Sequence, residues 1–477
     1  MPSFRFLVLS ISVSFAAYIS RRVVFPDEVR PAAVLVDKNS GYIAGIAEHD
    51  TFGPVDELYD LGDHALLPGL IDPHVHINEP GRTRWEGFDT GTRAAAAGGI
   101  TTIIDMPLNC LPPTTTVAAL WAKRAAAAGK CTVDFRPWGG AEGSRAENSN
   151  QSDLEALAKA GVPGFKCFLV YPGCDGLGLL DEPNLRATMP ILAALGLPLL
   201  VHAELPGPIE AAAKSLAGKN FRKYENYLAS RPDEAELAAI RLLIELCREF
   251  RTPIHIVHLA TAQALPILQA AKAEGLPITV ETCPHYLYFS AEGIPDGATQ
   301  YKCAPPIRSS ANRALLLQGV ADGTIDLIAS DHSPCPPDMK GIEAGDFAKA
   351  WGGIASLSLG PSILSTILAT SPLTTDSWDG SPRTRRIAEL MSSAPANLAG
   401  IAHRKGRIAE GFDADLTVFA PEESFTVTAS DLHFRHSISP YLGERLAGLV
   451  KQTILRGQLI FDHGKFPSDP IGREVPA

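Results

Sequence analysis

The chain has 477 residues, 45% hydrophobic and 20% charged, with a formal net charge of −11. That length fits one large domain plus a smaller one, and the acidic balance argues against non-specific attachment to nucleic acid or an anionic membrane, since both recruit cations. Cys110, Cys131, Cys167, Cys174, Cys247, Cys283, Cys303 and Cys335 form no C-x-x-C pair, so they read as free thiols in a reducing compartment, the cytoplasm, rather than as a disulfide framework.

The chain opens on an apolar stretch, F-L-V-L-S-I-S-V-S-F-A-A-Y from Phe6 to Tyr18, behind Arg5. Two readings stand. With S-F-A at Ser14–Ala16 as a small-x-small site, it has the outline of a secretory signal. With I-S-V-S-F alternating at period two, it reads as a strand or an irregular extension. It is too short to span a bilayer, and no later segment reads as transmembrane. We take residues 1–17 as an apolar extension. Residues 18–64 follow with R-R-V-V-F and A-A-V-L-V-D between turn residues, a pattern of short strands.

From residue 65 the pattern changes. Eight short apolar runs each end in polar or small residues and lead into an Ala-rich helical stretch. They lie at 65–76, 99–107, 132–138, 164–170, 198–204, 253–260, 277–285 and 325–333. Strand–helix alternation implies parallel strands joined by right-handed crossovers. Eight such units predict an α/β fold, a (β/α)8 TIM barrel over residues 65–402. An open doubly wound sheet is the alternative, but the Gly-rich dinucleotide fingerprint is missing. Residues 345–402 look helical and would pack outside the barrel. Residues 403–477 return to short strands, with G-R-I-A-E-G-F-D-A-D-L-T-V-F and Q-T-I-L-R-G-Q-L-I-F-D. Neither terminal segment can bury a core alone. Together they predict a small β-sandwich-like domain built from both ends of the chain.

Barrel chemistry sits where strands end at the C-terminal face. The polar residues at those ends are His74 and His76, Lys166, His202, His258 and Asp331. His74 and His76 share one side of a strand because residues i and i+2 point the same way. Imidazoles with a carboxylate suit zinc and similar ions. Each residue alone has a plainer reading: a strand-end polar pair, a satisfied core histidine, a helix cap. Lys166 is the odd one, because G-F-K-C-F-L-V buries a bare ammonium that must be neutralised, paired or modified. The coincidence of all six on one face favours a metal site.

The stretches D-P-H-V-H, F-K-C-F, L-L-V-H-A-E, V-H-L-A, E-T-C-P-H-Y-L and S-D-H-S-P-C resemble the cyclic amidohydrolases, and among them the allantoinases, from about residue 18 to 473. The resemblance implies two divalent ions, usually zinc. His74, His76 and Asp331 would hold the first and His202 and His258 the second. Lys166, N-carboxylated by carbon dioxide, would bridge both. It also implies ring-amide hydrolysis with Asp331 as proton shuttle, a small cyclic substrate such as allantoin, and a homotetramer.

Dihydroorotases resemble the chain too, but they typically carry arginine where H-V-H-I-N-E-P-G-R has Asn78. An amide there suits an uncharged polar ring. Arg82, Cys303 and Ser333 join Asn78 as candidate substrate contacts. Tyr171, five residues after Lys166, is similar to a tyrosine of hydantoinases and keeps hydantoinase or dihydropyrimidinase activity as the alternative. A non-catalytic scaffold relative is a further alternative, opposed by the filled ligand positions.

Overall fold

Strand-forming segments at both ends of the chain meet in one sheet, and the alternating units between them close a barrel. The structure is a computed structural model that describes residues 14–143, 150–173, 175–370 and 381–476. The expectation for the first thirteen residues, and Cys174, lie outside them.

The N-terminal strands are β1 (Phe15–Val24), β2 (Val29–Asp37), β3 (Tyr42–Ala47), β4 (Glu57–Asp60) and β5 (Ala65–Pro68). β1 begins at Phe15, earlier than the expected edge at residue 18, because Phe15, Ala16 and Ala17 pair with Asp37, Val36 and Leu35. The barrel strands are β6 (Leu70–Val75), β7 (Ile100–Asp105), β8 (Asp134–Pro137), β9 (Gly139–Gly140), β10 (Phe165–Phe168), β11 (Leu199–His202), β12 (Ile254–Ile256), β13 (Ile278–Thr282) and β14 (Leu327–Ile328). The chain ends with β15 (Leu416–Thr426), β16 (Arg445–Leu455) and β17 (Gln458–Asp462).

β8 and β9 are two halves of the third barrel strand: β8 pairs with β7 and β9 with β10, both in parallel. Parallel pairing continues from β10 to β14. A Val75–His332 bridge and the 3.0 Å bond from His76 N–H to His332 C=O close the barrel. Helices follow the strands, among them Phe88–Ala97, Val117–Ala127, Glu182–Leu195, Asp233–Phe250 and Ser310–Ala321. Ile71, Ile104, Trp138, Leu200 and Val257 fill the barrel interior, and Ala396, Ala399, Ile401 and Val475 plug its lower end. Among the described residues no helix is long and apolar enough to cross a membrane.

The apolar run 65–76, expected to be one barrel strand, is two strands. The structure divides that run at Gly69. Ala65–Pro68 pairs with β15 and β1 in the terminal sheet, and only Leu70–Val75 enters the barrel. A Cβ at Gly69 would lie 2.3 Å from Thr101 Oγ1, so only glycine lets the chain pass this closely from one sheet to the other. The terminal sheet runs β17-β16-β15-β5-β1-β2-β3, with β4 on β1. Tyr18, Val34, Val36, Leu66, Leu416 and Ile454 share its core, so neither end of the chain completes that core without the other.

A buried charge network ties this sheet to the bottom of β8. Lys405 Nζ lies 3.0 Å from Asp134 and 3.1 Å from Asp413, and also contacts Asp415. Arg456 pairs with Asp134 and Arg404 with Asp413. The three carboxylates are close enough together to hold a metal ion, but the Lys405 ammonium is already the cation among them. Burial alone would lower its pKa; Asp415, Asp134 and Asp413 instead hold it above the ordinary lysine value. Replacing one partner strands the others in a dry site. Lys405→Met is expected to lower unfolding stability by about 3–5 kcal/mol in urea titration. A loss below about 1 kcal/mol, the range of surface pairs, would show that the network carries little of the fold's stability.

Candidate metal centre

The strand ends bring the predicted ligands to one mouth. β6 delivers His74, with His76 just beyond it. The Nε2 atoms of both rings lie 3.2 Å from Asp331 Oδ1. These three residues are all buried and close enough together to hold one ion. His258 and His202 come from the neighbouring strand ends, their ring centroids 4.6 Å apart, with His258 5.5 Å from His74. Asp331 and His258 both have left-handed backbones, φ 45° and 40°. Non-glycine residues adopt that region at a cost, and such strain concentrates at functional sites.

The outer nitrogens are held too. His74 Nδ1 contacts the carboxylate of Glu281, which also takes His255 Nε2 at 3.0 Å and the His258 N–H at 3.1 Å. His202 Nε2 lies 2.7 Å from Glu204 Oε2, and Arg231 clamps Glu204 from behind. The Asn109 amide is 3.3 Å from His76 Nδ1. A carboxylate on the outer nitrogen fixes the ring and raises its basicity toward a metal on the other nitrogen. Asp72 aligns the two strands that carry the first cluster, accepting from His74 N–H and Ser330 N–H.

Electrostatics leave this set ready to bind a cation. Burial lowers His76 to about 4, and lowers His202 and His258 as well. Neutral imidazoles keep their lone pairs at neutral pH. Burial would raise Asp331, but the His74 charge and the His76 hydrogen bond hold it well below the usual carboxylate range. Lys166 is fully buried and its Nζ has no hydrogen-bond partner among the described residues. Its Nζ lies 4.7 Å from the centre of the Phe168 ring. Burial lowers its pKa to about 8, so the neutral amine is within easy reach. The burial-depressed imidazoles of His76, His202 and His258, the ionised Asp331 carboxylate and a lysine nitrogen with no hydrogen-bond partner among the described residues fit a divalent-metal centre.

The centre forms the floor of a cavity of about 760 Å³. Of the expected substrate contacts, Arg82, Tyr171 and Ser333 line it. Ser333 Oγ donates to Asp331 Oδ1 at 2.9 Å. Tyr171 is 54% exposed at the rim. Asn78 and Cys303 do not line it. Asn78 is fully enclosed, with neither amide atom hydrogen-bonded among the described residues. The backbone turns it away after His76, where its N–H bonds Glu86 C=O at 3.2 Å. Cys303 is buried behind the wall, its carbonyl accepting from Tyr227 at 2.6 Å. Arg308 does not line it either and is paired with Glu236 and Asp233. The sequence reading missed Asn109, Glu204, Arg231, Glu281 and Lys302. A carboxylate at Glu281 inside a buried strand was a usable signal; Asn109 offered none.

A family model described as the amidohydrolase family matches residues 65–460. The allantoinase of Streptomyces avermitilis is 46% identical, covering 95% of this chain and 97% of that protein. The allantoinase of Saccharomyces cerevisiae is 39% identical, covering 96% and 98%. Among solved structures, the L-hydantoinase (dihydropyrimidinase) from Arthrobacter aurescens superposes with a TM-score of 0.88 at 28% identity, over 96% of this chain and 99% of that one. The chain therefore belongs to the amidohydrolase family, in its cyclic amidohydrolase branch.

Proposed function

We propose that this enzyme is an allantoinase, opening the hydantoin ring of allantoin by amide hydrolysis to give allantoate. The observation that carries the reaction class is the convergence of His74 and His76 Nε2 on Asp331 Oδ1 beside the unpartnered Lys166 nitrogen. His74, His76 and Asp331 would hold one divalent ion, zinc on our reading, and His202 and His258 a second. The Lys166 amine would add carbon dioxide, losing one proton, to give a carbamate anion that bridges the two. When bound, such ions supply an acidified water and polarise the scissile carbonyl.

The remaining work falls to the chain. Asp331, held anionic, takes a proton as water oxygen adds to the ring carbonyl. It returns that proton to the amide nitrogen as the C–N bond breaks. Glu281 and Glu204 hold the rings of His74 and His202 in place throughout.

The cavity's cations support an uncharged ring. Arg82 donates to Asn109 and Asp175 carbonyls, Arg231 pairs with Glu204, Lys302 donates to Ala348 and Ala350 carbonyls, and Lys349 lies 3.6 Å from Asp346. Arg231, Arg82 and Lys302 are thus held by protein acceptors and Lys349 is largely exposed, an arrangement that favours an uncharged ring over a carboxylate such as that of dihydroorotate. The curated allantoinases support allantoin itself. Tyr171 at the rim favours hydantoinase activity as the second reading. Burial of all seven described cysteines as free thiols supports a reducing, cytoplasmic setting, and the family resemblance supports a homotetramer.

Two outcomes are expected. In parallel assays of allantoin, hydantoin, dihydrouracil and dihydroorotate, kcat/KM should favour allantoin by on the order of 100-fold. Turnover of dihydrouracil alone would overturn the substrate choice. Asp331→Asn should keep about two metal ions per chain while kcat falls by about 10²–10⁴. Wild-type kcat in that variant would remove Asp331 from proton transfer.

A further inference from the structure

Two lysines outside the metal centre are also buried without a carboxylate. Lys340 is enclosed and donates to the carbonyls of Lys302 at 3.1 Å, Trp351 at 3.0 Å and Gly353 at 2.6 Å. Those acceptors use all three ammonium protons. Lys302 donates to Ala348 C=O at 3.4 Å and Ala350 C=O at 2.5 Å, with its ammonium 5.2 Å from the Tyr227 ring centre. Among the described residues neither lysine pairs with a carboxylate. Burial lowers Lys302 to about 7 and Lys340 to about 8, as expected for cations with no counter-ion.

We propose that Lys302 and Lys340 form a latch that holds the 348–353 strap against the cavity and so position it for substrate. The proposal rests on reading that cavity as the substrate site. Ala350, Trp351 and Gly352 line the cavity. The carbonyls of Ala350, Trp351 and Gly353 bond the two ammonium groups at 2.5, 3.0 and 2.6 Å, and that of the exposed Ala348 reaches Lys302 at 3.4 Å. Removing either lysine leaves buried acceptors unpaired, which costs more than the bonds themselves contribute.

The latch connects to the reaction centre. Gly353 N–H bonds Lys302 C=O at 2.9 Å, and Trp351 Nε1 donates to Ser333 C=O at 3.3 Å. A Cβ at Gly353 would lie 2.3 Å from the Ser333 carbonyl oxygen, so glycine lets the strap pack closely against the Ser333 backbone, while the Ser333 hydroxyl stays on Asp331. Trp351 also meets Trp85 edge-on, with centroids 4.8 Å apart, linking the strap to the loop after β6. A displaced strap would reshape the wall that reads the ring. It would leave the imidazoles, held by Glu281, Glu204 and Asn109, in place.

The test uses the full chain with its metals bound. In Lys340→Met, hydrogen exchange of amides 348–353 should quicken about tenfold while the barrel strands stay protected. KM should rise about tenfold with kcat within about threefold of wild type, because ground-state and transition-state binding weaken together. Metal content should not change. Lys302→Met, at a less enclosed position, gives the same readouts if Lys340→Met does not fold. Exposed Lys214→Met on the helix Pro206–Ser215 serves as the control. Unchanged exchange at 348–353 overturns the latch. Local loosening with unchanged KM overturns its positioning role. If the wild type turns over no cyclic amide, the functional reading fails, and the exchange result still decides the latch.

Discussion

A lysine nitrogen buried with no hydrogen-bond partner among the described residues is the constraint around which this structure is arranged. Lys166 sits in β10 between apolar neighbours. A bare ammonium there is strongly disfavoured. Among the described residues no carboxylate is in direct contact with it; its surroundings are imidazoles whose own protonation is suppressed by burial and by its charge. Three responses are open to such a group: to lose its proton, to be paired by something from outside, or to change chemically. Carboxylation combined with metal binding answers all three. It turns the cation into an anion, and divalent ions then supply the counter-charge. On that reading the surrounding carboxylates also make sense. Glu281 and Glu204 face the outer nitrogens of His74 and His202, where they orient ligands instead of neutralising the lysine.

The rest of the architecture keeps this site rigid while leaving its rim adjustable. A buried charge network lies at the opposite end of the barrel, where Lys405, Arg404 and Arg456 bind Asp134, Asp413 and Asp415 and join β8 to the sheet made from both chain ends. Chemistry is concentrated at the C-terminal face. The 348–353 strap lies on the loop side, along the cavity wall.

Most of the fold was legible from periodicity. All eight expected barrel runs contain barrel strands, because a parallel strand covered on both faces leaves a continuous apolar run. The break at Gly69 was not legible, since A-L-L-P-G-L-I is apolar on both sides and only a close contact with Thr101 reveals the handover between sheets. The candidate ligands were legible because each lies at a strand end and the barrel topology gathers strand ends. The substrate wall was less so. Asn78 follows His76 by two residues, yet the Asn78–Glu86 bond turns it into the interior and not into the cavity. Tyr171, judged only by its distance from Lys166, does reach the rim. Lys302 and Lys340 left no trace in the pattern, because a lysine that serves backbone carbonyls looks in sequence like any surface lysine.

The central claim concerns the state of Lys166, and it can be read directly. Native protein loaded with metal in ¹³C-labelled bicarbonate should show a carbamate carbon resonance in NMR, and Lys166→Arg prepared in the same way should lack it. A metal-loaded, fully active native chain with no such resonance would contradict the account.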